Sequence, residues 1–129
     1  MNILFSKYQG TGNDFIIVDD RTKRFPKNES DLVMFLCDRR FGIGGDGLML
    51  LQESDIFDFK MVYFNSDGKE STMCGNGGRC IAAFAQKLEI FKNRAVFEAI
   101  DGEHQVTIEP DQEIILKMAD VNKIENDNG

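Results

Sequence analysis

Apolar residues occur along this chain in short runs, separated by polar segments that often contain glycine or proline. Two runs are continuous, Phe15–Asp19 and Leu48–Leu51, and such runs are typical of buried strands. The segment Ile56–Asn65 alternates between apolar and polar positions and is the clearest predicted strand. One face of that strand is expected to carry Phe57, Phe59, Met61 and Tyr63. A mixed run at Ile3–Tyr8 predicts a further strand.

The segment from residue 28 to about residue 40 predicts a helix. Asn28 or Ser30 is a suitable N-cap. Leu32, Phe35 and Leu36 are expected to share the apolar face, with Val33 and Cys37 at its edge. Cys37 is therefore expected to act as a small core side chain. Arg39 and Arg40 are expected to interact with the negative end of the helix dipole.

A second helix is predicted at Ile81–Leu88, because this segment contains helix formers and no internal glycine or proline. Three further strands follow as a meander, Ala95–Ile100, His104–Glu109 and Glu113–Met118. The predicted order is β-β-α-β-β-α-β-β-β, without parallel β-α-β units. The second helix is apolar almost all round and has to be buried on several sides. The predicted fold class is therefore α+β, a mostly antiparallel sheet curled as a barrel around one central helix.

The composition is typical of a soluble globular domain, with 42% hydrophobic and 29% charged residues among 129. A net charge of −7 argues against a broad nucleic-acid surface. The chain has no apolar run of about 18 residues, so no membrane span is expected. It also begins without the features of a signal peptide. Three cysteines form no disulfide framework, and together these features predict a cytoplasmic protein.

The sharpest chemical signal is the stretch from Met73 to Cys80, which reads Met-Cys-Gly-Asn-Gly-Gly-Arg-Cys. Cys74 is expected at or just before the N-terminus of the second helix, where unpaired N–H groups and the helix dipole lower the pKa of a thiol. The N–H groups of residues 75–78 can bind an anion beside it. A buried structural thiol is the alternative interpretation, although its small polar neighbours argue against it. Cys80 is expected in the core.

Other chemical signals are weaker. The segment Gly42–Gly47 formally contains G-x-G-x-x-G, but a strand follows it instead of a helix, so we expect a tight backbone path beside a site and no dinucleotide loop. The cysteines of the central stretch lack zinc-ligand spacing, and His104 lies in an alternating strand, so no metal site is expected and His104 is assigned no role. Asn13 and Asn65 adjoin turns, where they serve either turn geometry or ligand binding.

Four motifs in order resemble the diaminopimelate epimerase family. They are Phe5-x-Lys7-x-x-Gly10-x-Gly12-Asn13-Asp14-Phe15, the segment Asp38–Gly47, Asn65-x-Asp67-Gly68, and Met73–Cys80. The resemblance implies a fold of two similar halves, each a barrel-like sheet around a helix, with the active site in the cleft between them. It also implies an epimerase that uses no cofactor, in the bacterial route to lysine and cell-wall diaminopimelate.

The same resemblance implies roles for five residues. Cys74 would be one of two catalytic cysteines, which exchange a proton on opposite faces of the substrate's stereocentre. Gly75 and Asn76 would bind the substrate carboxylate, and Asn13 and Asn65 would contact the substrate, the small-molecule amino acid diaminopimelate. The second cysteine of the family belongs to the second half.

Two departures from the family pattern affect these expectations. Some family members carry a substrate-binding Gln where this chain has Gly47, and a glycine supplies no such side chain. The chain also ends at Gly129, and neither Cys37 nor Cys80 stands in a motif that matches the second cysteine. We therefore expect an N-terminal domain over residues 1–119, the start of an inter-domain linker over residues 120–129, and no activity without the missing C-terminal domain.

Exposure of the cleft face would favour self-association, for instance as a homodimer. Two alternatives stay open at this point. One is half of a related two-cysteine proline or hydroxyproline racemase. The other is a non-catalytic anion-binding domain.

Overall fold

A computed structural model describes residues 5–9, 12–23, 25–26, 30–72 and 75–118. These residues form seven strands and two helices in the predicted order. The elements are β1 (Phe5–Gln9), β2 (Asp14–Asp19), α1 (Ser30–Cys37), β3 (Gly47–Gln52), β4 (Phe59–Asn65), α2 (Gly75–Lys87), β5 (Arg94–Ala99), β6 (Gly102–Ile108) and β7 (Ile114–Met118). Neither helix is long or apolar enough to cross a membrane. The predicted linker, residues 120–129, lies outside the described residues.

The strands form a single sheet in sequence order, from β1 to β7. Over the described residues, four of the six neighbouring pairs are antiparallel. The pairs β2–β3 and β4–β5 are parallel, and each encloses one helix along the chain. The prediction that parallel β-α-β units are absent was therefore wrong. The continuous apolar runs in β2 and β3 were the relevant signal, because strands covered by helices do not alternate.

The sheet curls around α2. This helix contacts both β2 and β7, which are five strand spacings apart in the sheet. In a flat sheet those strands would be separated by about 24 Å, whereas a helix with its side chains is about 10–12 Å wide. The sheet must therefore bend for one helix to reach both strands. The predicted sheet around a central helix is confirmed.

Two hydrophobic clusters cover opposite faces of strands β2, β3 and β4. The larger cluster packs alternate residues of these strands, such as Ile17 and Met49, against Ile81 of α2. The smaller cluster packs the intervening residues, such as Leu48, against Val33 of α1. Every residue of β3 is buried as a result. The curled sheet is thus a middle layer between the two helices.

The buried face of α1 differs from the predicted face. Val33 and Cys37 are buried, at 0% and 4% exposure, and lie one helical turn apart. Phe35, which was expected on the apolar face, is 54% exposed. The two short side chains fit against the sheet. Which face of α1 is buried depends on this packing, and the spacing of apolar residues along the chain does not reveal it. The core role predicted for Cys37 is confirmed.

The strand β4 begins at Phe59, three residues later than predicted. The Ser54 hydroxyl accepts hydrogen bonds from the N–H groups of Ile56 and Phe57, at 3.2 and 3.0 Å. This side-chain contact folds the segment into a turn and withdraws those N–H groups from strand pairing. Ile56 is consequently 75% exposed instead of lying in a strand.

His104, to which the sequence assigned no role, belongs to the core. Its side chain is 1% exposed, and its ring stacks on Phe97 with 5.2 Å between centroids. The ring Nε2 atom lies 2.8 Å from the Asp101 carboxylate. These contacts tie the turn between β5 and β6 to the larger cluster.

Candidate active site

The glycine-rich segment after α1 closes the C-terminal end of that helix. The N–H groups of residues 43–45 donate to the carbonyls of Leu36 and Cys37 over 2.9–3.1 Å. The next N–H group, of Asp46, donates to the Asp14 carbonyl at 2.8 Å. These donors are therefore used within the protein, in a way typical of helix C-caps. The predicted tight backbone path is confirmed, and the segment does not form a phosphate loop.

Asn13 and Asp46 lie side by side because they precede two parallel neighbouring strands. Phe15 of β2 is in register with Gly47 of β3. The Asn13 side-chain nitrogen donates to Asp46 Oδ2 at 3.3 Å, and the Asp14 N–H donates to the same oxygen at 3.0 Å. The Asp46 N–H donates in return to the Asp14 carbonyl. The start of β2 and the start of β3 are thus hydrogen-bonded with donors on both sides.

A charged network of Lys7, Asp14, Arg39 and Asp46 surrounds this junction. Arg39 donates from both terminal nitrogens to the Asp14 carboxylate, at 3.0 and 2.7 Å, and from one of them to Asp46 at 3.0 Å. Lys7 Nζ lies 3.1 Å from the Asp14 carboxylate and donates to the Gly44 carbonyl at 2.7 Å. Two cations thus balance two carboxylates.

The network changes the ionisation of its members. Hydrogen bonds from Arg39, and then the contact with Lys7, hold the pKa of Asp14 well below its usual range. The same pairing raises the pKa of Arg39. The role predicted for Arg39 at the helix dipole was wrong, because its nitrogens contact carboxylates instead. No local sequence pattern predicted this network, although Asp14 and Asp46 stand in motifs just before two predicted strands.

A surface cavity of about 330 Å³ adjoins the network. Its lining is polar and consists of Gln9, Gly12, Asn13, Asp14, Arg39 and Asp46. That volume lies near the lower end of the range of small-molecule sites, roughly 300–1,000 Å³. The cavity is therefore large enough for part of a small polar ligand.

Asn65 lies at the same end of the sheet as Asn13. It is the last residue of β4 and is in register with Gly47, which is itself in register with Phe15 on the other side. Two strand spacings, about 10 Å, therefore separate β2 from β4 at this level. The two asparagines predicted from the motifs therefore lie at one end of the sheet, on either side of β3.

Gly47 is covered by an aromatic ring. A Cβ atom at this position would lie 2.6 Å from a Tyr63 ring carbon, 2.7 Å from the Tyr63 hydroxyl and 2.9 Å from the Phe64 carbonyl oxygen. Contacts under 3.0 Å require a neighbour to move. This backbone and the Tyr63 ring thus suit a glycine, and a longer side chain would have to displace the tyrosine.

Helix α2 begins at Gly75, which immediately follows Cys74 in the sequence. Cys74 itself lies outside the described residues. The first N–H groups of the helix, including those of Gly75 and Asn76, have no acceptor within the helix and favour an anion. Ser71 donates to the Tyr63 carbonyl at 2.9 Å. The four residues from there to Gly75 extend at most about 14 Å, so α2 starts within about that distance of Ser71.

The two described cysteines are buried. Cys37 is 4% exposed, and burial raises its pKa to about 11. Cys80 is 5% exposed within α2, which confirms its predicted core position. Its neighbour Tyr8 has a raised pKa, caused first by burial and then by Cys80. Neither buried thiol is suited to exchange protons with a ligand.

The sequence profile of the family described as diaminopimelate epimerase matches residues 5–124. The diaminopimelate epimerase of Flavobacterium psychrophilum is 59% identical over 118 residues, which cover 92% of this chain and 46% of that protein. The diaminopimelate epimerase of Methanococcus maripaludis is 42% identical over 117 residues, which cover 88% of this chain and 42% of that protein. The chain thus spans about half the length of these relatives, or less.

Solved structures share the fold at low sequence identity. A phenazine biosynthesis protein of the PhzF family from Enterococcus faecalis superimposes with a TM-score of 0.68 at 12% identity, over 85% of this chain and 42% of that chain. A hydroxyproline epimerase from Agrobacterium vitis, with bound trans-4-hydroxy-L-proline, gives a TM-score of 0.60 at 19% identity, over 83% of this chain and 37% of that chain. These likenesses confirm the predicted fold class.

Proposed function

Because this chain belongs to the diaminopimelate epimerase family, we propose that it provides the N-terminal half of an enzyme that interconverts L,L- and meso-diaminopimelate. The observation that carries the proposal is the convergence of the family motifs at one end of the sheet. Asn13 precedes β2, Asp46 precedes β3, Asn65 ends β4, and α2 starts immediately after Cys74. Of these groups, Asn13 and Asp46 also line the cavity of about 330 Å³, together with Asp14 and Arg39.

In this proposal Cys74 acts as a thiolate and removes the α-proton from one face of the substrate. A second thiol, held on the opposite face by the C-terminal half, returns a proton and inverts the stereocentre. The α-hydrogen of an amino acid is a weak acid, so the site must stabilise the developing carbanion with preorganised N–H dipoles. The first N–H groups of α2, those of Gly75 and Asn76, would bind the substrate carboxylate for this purpose.

Asn13 and Asn65 would hold the substrate between them. Their amides offer both donors and acceptors, which suits a zwitterionic amino acid with ammonium and carboxylate groups. The charge balance of the adjoining network also matters, since two uncompensated carboxylates would repel the substrate carboxylate. The reaction needs no pyridoxal phosphate, because the thiols and the backbone dipoles perform the proton transfers.

The isolated chain is inactive in this proposal. Cys37 and Cys80 are buried in the two hydrophobic clusters, so neither replaces the second catalytic thiol. Residues 1–119 form the N-terminal domain, and residues 120–129 begin the linker to the C-terminal half. The working enzyme is cytoplasmic, with the amino-acid substrate and the C-terminal half as its partners.

The test compares the chain alone with a fusion of residues 1–119 to the C-terminal half of the Flavobacterium psychrophilum relative. The readout is interconversion of L,L- and meso-diaminopimelate, with deuterium incorporation at the α-carbon in D₂O. We expect activity in the fusion, none in the chain alone, and a loss of about 10³-fold or more in the fusion carrying Cys74→Ala. The matched control Cys37→Ser changes a buried thiol and should remain active. Turnover by the chain alone, or by the Cys74→Ala fusion, would contradict the proposal.

A further inference from the structure

We propose that the turn between β5 and β6 is a docking surface for the C-terminal half, with Ile100 as its apolar contact. Ile100 and Asp101 form this turn, because Ala99 and Gly102 on either side of them are in register. The identity of the partner as the C-terminal half rests on the proposed function. The exposure and position of Ile100 rest on this chain alone, and the two parts are tested separately below.

The turn adjoins the segment that leads to Cys74. β3 occupies one edge of β4 as far as Asn65. On the other edge, β5 pairs with the first two residues of β4, and Glu70 pairs with Phe64 near its end. Because β5 runs parallel to β4, it points towards Glu70 and has to turn away before reaching it. The turn therefore lies beside the segment from Glu70 to Cys74, on the side of the sheet where β4 ends.

The chain leaves its last described strand beside the same turn. β7 runs antiparallel to β6 and ends at Met118, which is in register with His104. It therefore advances towards the turn and ends two strand positions, about 7 Å, from the level of Gly102. The matched part of the two relatives is less than half of their length. A second half that follows β7 is thus tethered near the turn, which raises its local concentration there.

The turn is fixed on its inner side, whereas Ile100 is 60% exposed. The buried His104 ring stacks on Phe97, and its Nε2 atom lies 2.8 Å from the Asp101 carboxylate. Its Nδ1 atom is buried and has no hydrogen-bond partner among the residues that the structure describes. In the neutral ring the proton therefore lies on Nε2, which donates it in a hydrogen bond to Asp101. An apolar side chain on a turn held in this way loses little entropy on binding.

The surroundings of Ile100 indicate what the partner has to present. Glu98 and Glu103 are in register across the two strands, and like charges at such positions repel each other. Neither carboxylate forms an ion pair within the described part of the chain. A Cβ atom at Gly102 would meet no atom within 4 Å, so the space beside the turn is open. The complementary surface is therefore an apolar contact for Ile100 bordered by lysine or arginine side chains.

The first experiment measures the exposure of position 100 with and without the C-terminal half. Ile100→Cys and the control Ile56→Cys are labelled with iodoacetamide, in the chain alone and in the fusion described above. Peptide mapping separates the new thiols from the natural cysteines. Ile56 is a suitable control because it is 75% exposed but precedes β4, so that it lies at the opposite end of this strand from Asn65.

We expect labelling at position 100 to be about tenfold or more slower in the fusion than in the chain, and labelling at position 56 to differ by less than about twofold. Equal labelling of position 100 in the two proteins would overturn the inference. Slow labelling in the chain alone that depends on protein concentration would also overturn it, because a second copy of the chain would then cover the turn.

The second experiment measures activity in the fusion. We expect Ile100→Asp to lower kcat/KM for diaminopimelate about tenfold or more, because it places a carboxylate in the apolar contact, whereas Ile56→Asp should change it less than about twofold. Both variants of the chain alone should unfold at the wild-type denaturant concentration, since both positions are exposed there. Unchanged kcat/KM in Ile100→Asp would overturn the inference. If the unmodified fusion has no activity, the proposed function fails, and the labelling still decides whether the C-terminal half covers Ile100.

Discussion

The reactivity of the three cysteines gives a direct test of the proposed thiolate. Burial raises the pKa of Cys37 to about 11, so about one molecule in a thousand carries its thiolate at pH 8. An unperturbed thiol with a pKa of about 8.5 is about one-quarter ionised at that pH. Ionisation alone therefore slows alkylation of Cys37 about 200-fold, because the thiolate is the reactive form.

Limited access adds to this difference. Cys37 and Cys80 are 4% and 5% exposed, so a reagent must wait for the folded structure to open. We therefore expect one fast equivalent of iodoacetamide in the native chain, located at Cys74, and two equivalents that react at least about 100-fold more slowly. Cys74→Ala should remove the fast phase, whereas Cys37→Ser should leave it intact. All three cysteines should react at similar rates in guanidinium chloride.

The assay is intact-mass spectrometry over time, followed by peptide mapping, at a series of pH values. A helix N-terminus lowers the pKa of a thiol, so the midpoint of the fast phase should lie below about 8.5. A midpoint at or above that value would refute the proposed thiolate. Mapping of the fast phase to Cys37 or Cys80 would refute the argument from burial.

Three further predictions concern the stability of the chain, measured by thermal and denaturant unfolding. Gly68→Ala should lower the free energy of unfolding by about 1–3 kcal/mol, because Gly68 has φ +86° and a Cβ atom would lie 2.5 Å from the Ser30 carbonyl oxygen. The control is Gly102→Ala, since Gly102 also has a positive φ (+120°) but its Cβ atom would meet no atom within 4 Å. Equal losses of stability in the two variants would contradict the steric argument. Phe97→Ala should lower the free energy of unfolding by about 3–5 kcal/mol, because this fully buried ring stacks on Phe59 with 4.8 Å between ring centroids. A loss under about 1 kcal/mol would contradict the central place of Phe97 in the core. The pKa of Asp14 is lower in the folded chain than in the unfolded chain, where it is about 3.9, so ionised Asp14 stabilises the fold above that pH. The difference in unfolding free energy between wild type and Asp14→Asn should therefore be constant from about pH 7 to 5 and shrink below about pH 4. A difference that grows on acidification would contradict the pairing with Arg39.

The order of strands and helices was predictable because it depends on local periodicity. The predicted strand Ile56–Asn65 begins with alternation, and α2 carries a continuous apolar run over its second half, so both are visible in short windows of sequence. The parallel pairing of β2 with β3 was not predicted, because pairing depends on which strands the helices cover. The start of β4 was missed for a similar reason, since the Ser54 hydroxyl competes for N–H groups that the apolar pattern assigns to a strand.

The candidate site was predictable from the sequence only in part. The motifs identified Asn13 and Asn65, and the register of both neighbouring strands with Gly47 explains how they reach one end of the sheet. The charged network depends on Arg39 meeting Asp14, which is 25 positions away in the sequence. No local pattern reveals a contact at that separation. Charged residues that precede two buried strands were the available signal, because parallel neighbours bring their starting residues together.

The hydrophobic core and the candidate site occupy separate parts of this fold. The hydrophobic clusters occupy both faces of the sheet, whereas Asn13 and Asp46 lie where strands begin and Asn65 lies where a strand ends. Substitutions such as Asp46→Asn therefore remove polar contacts without opening a cavity in either cluster. The sheet and α2 thus supply the larger part of the core without using the polar residues of the candidate site. We accordingly expect Asp46→Asn to lower the free energy of unfolding by less than Phe97→Ala does.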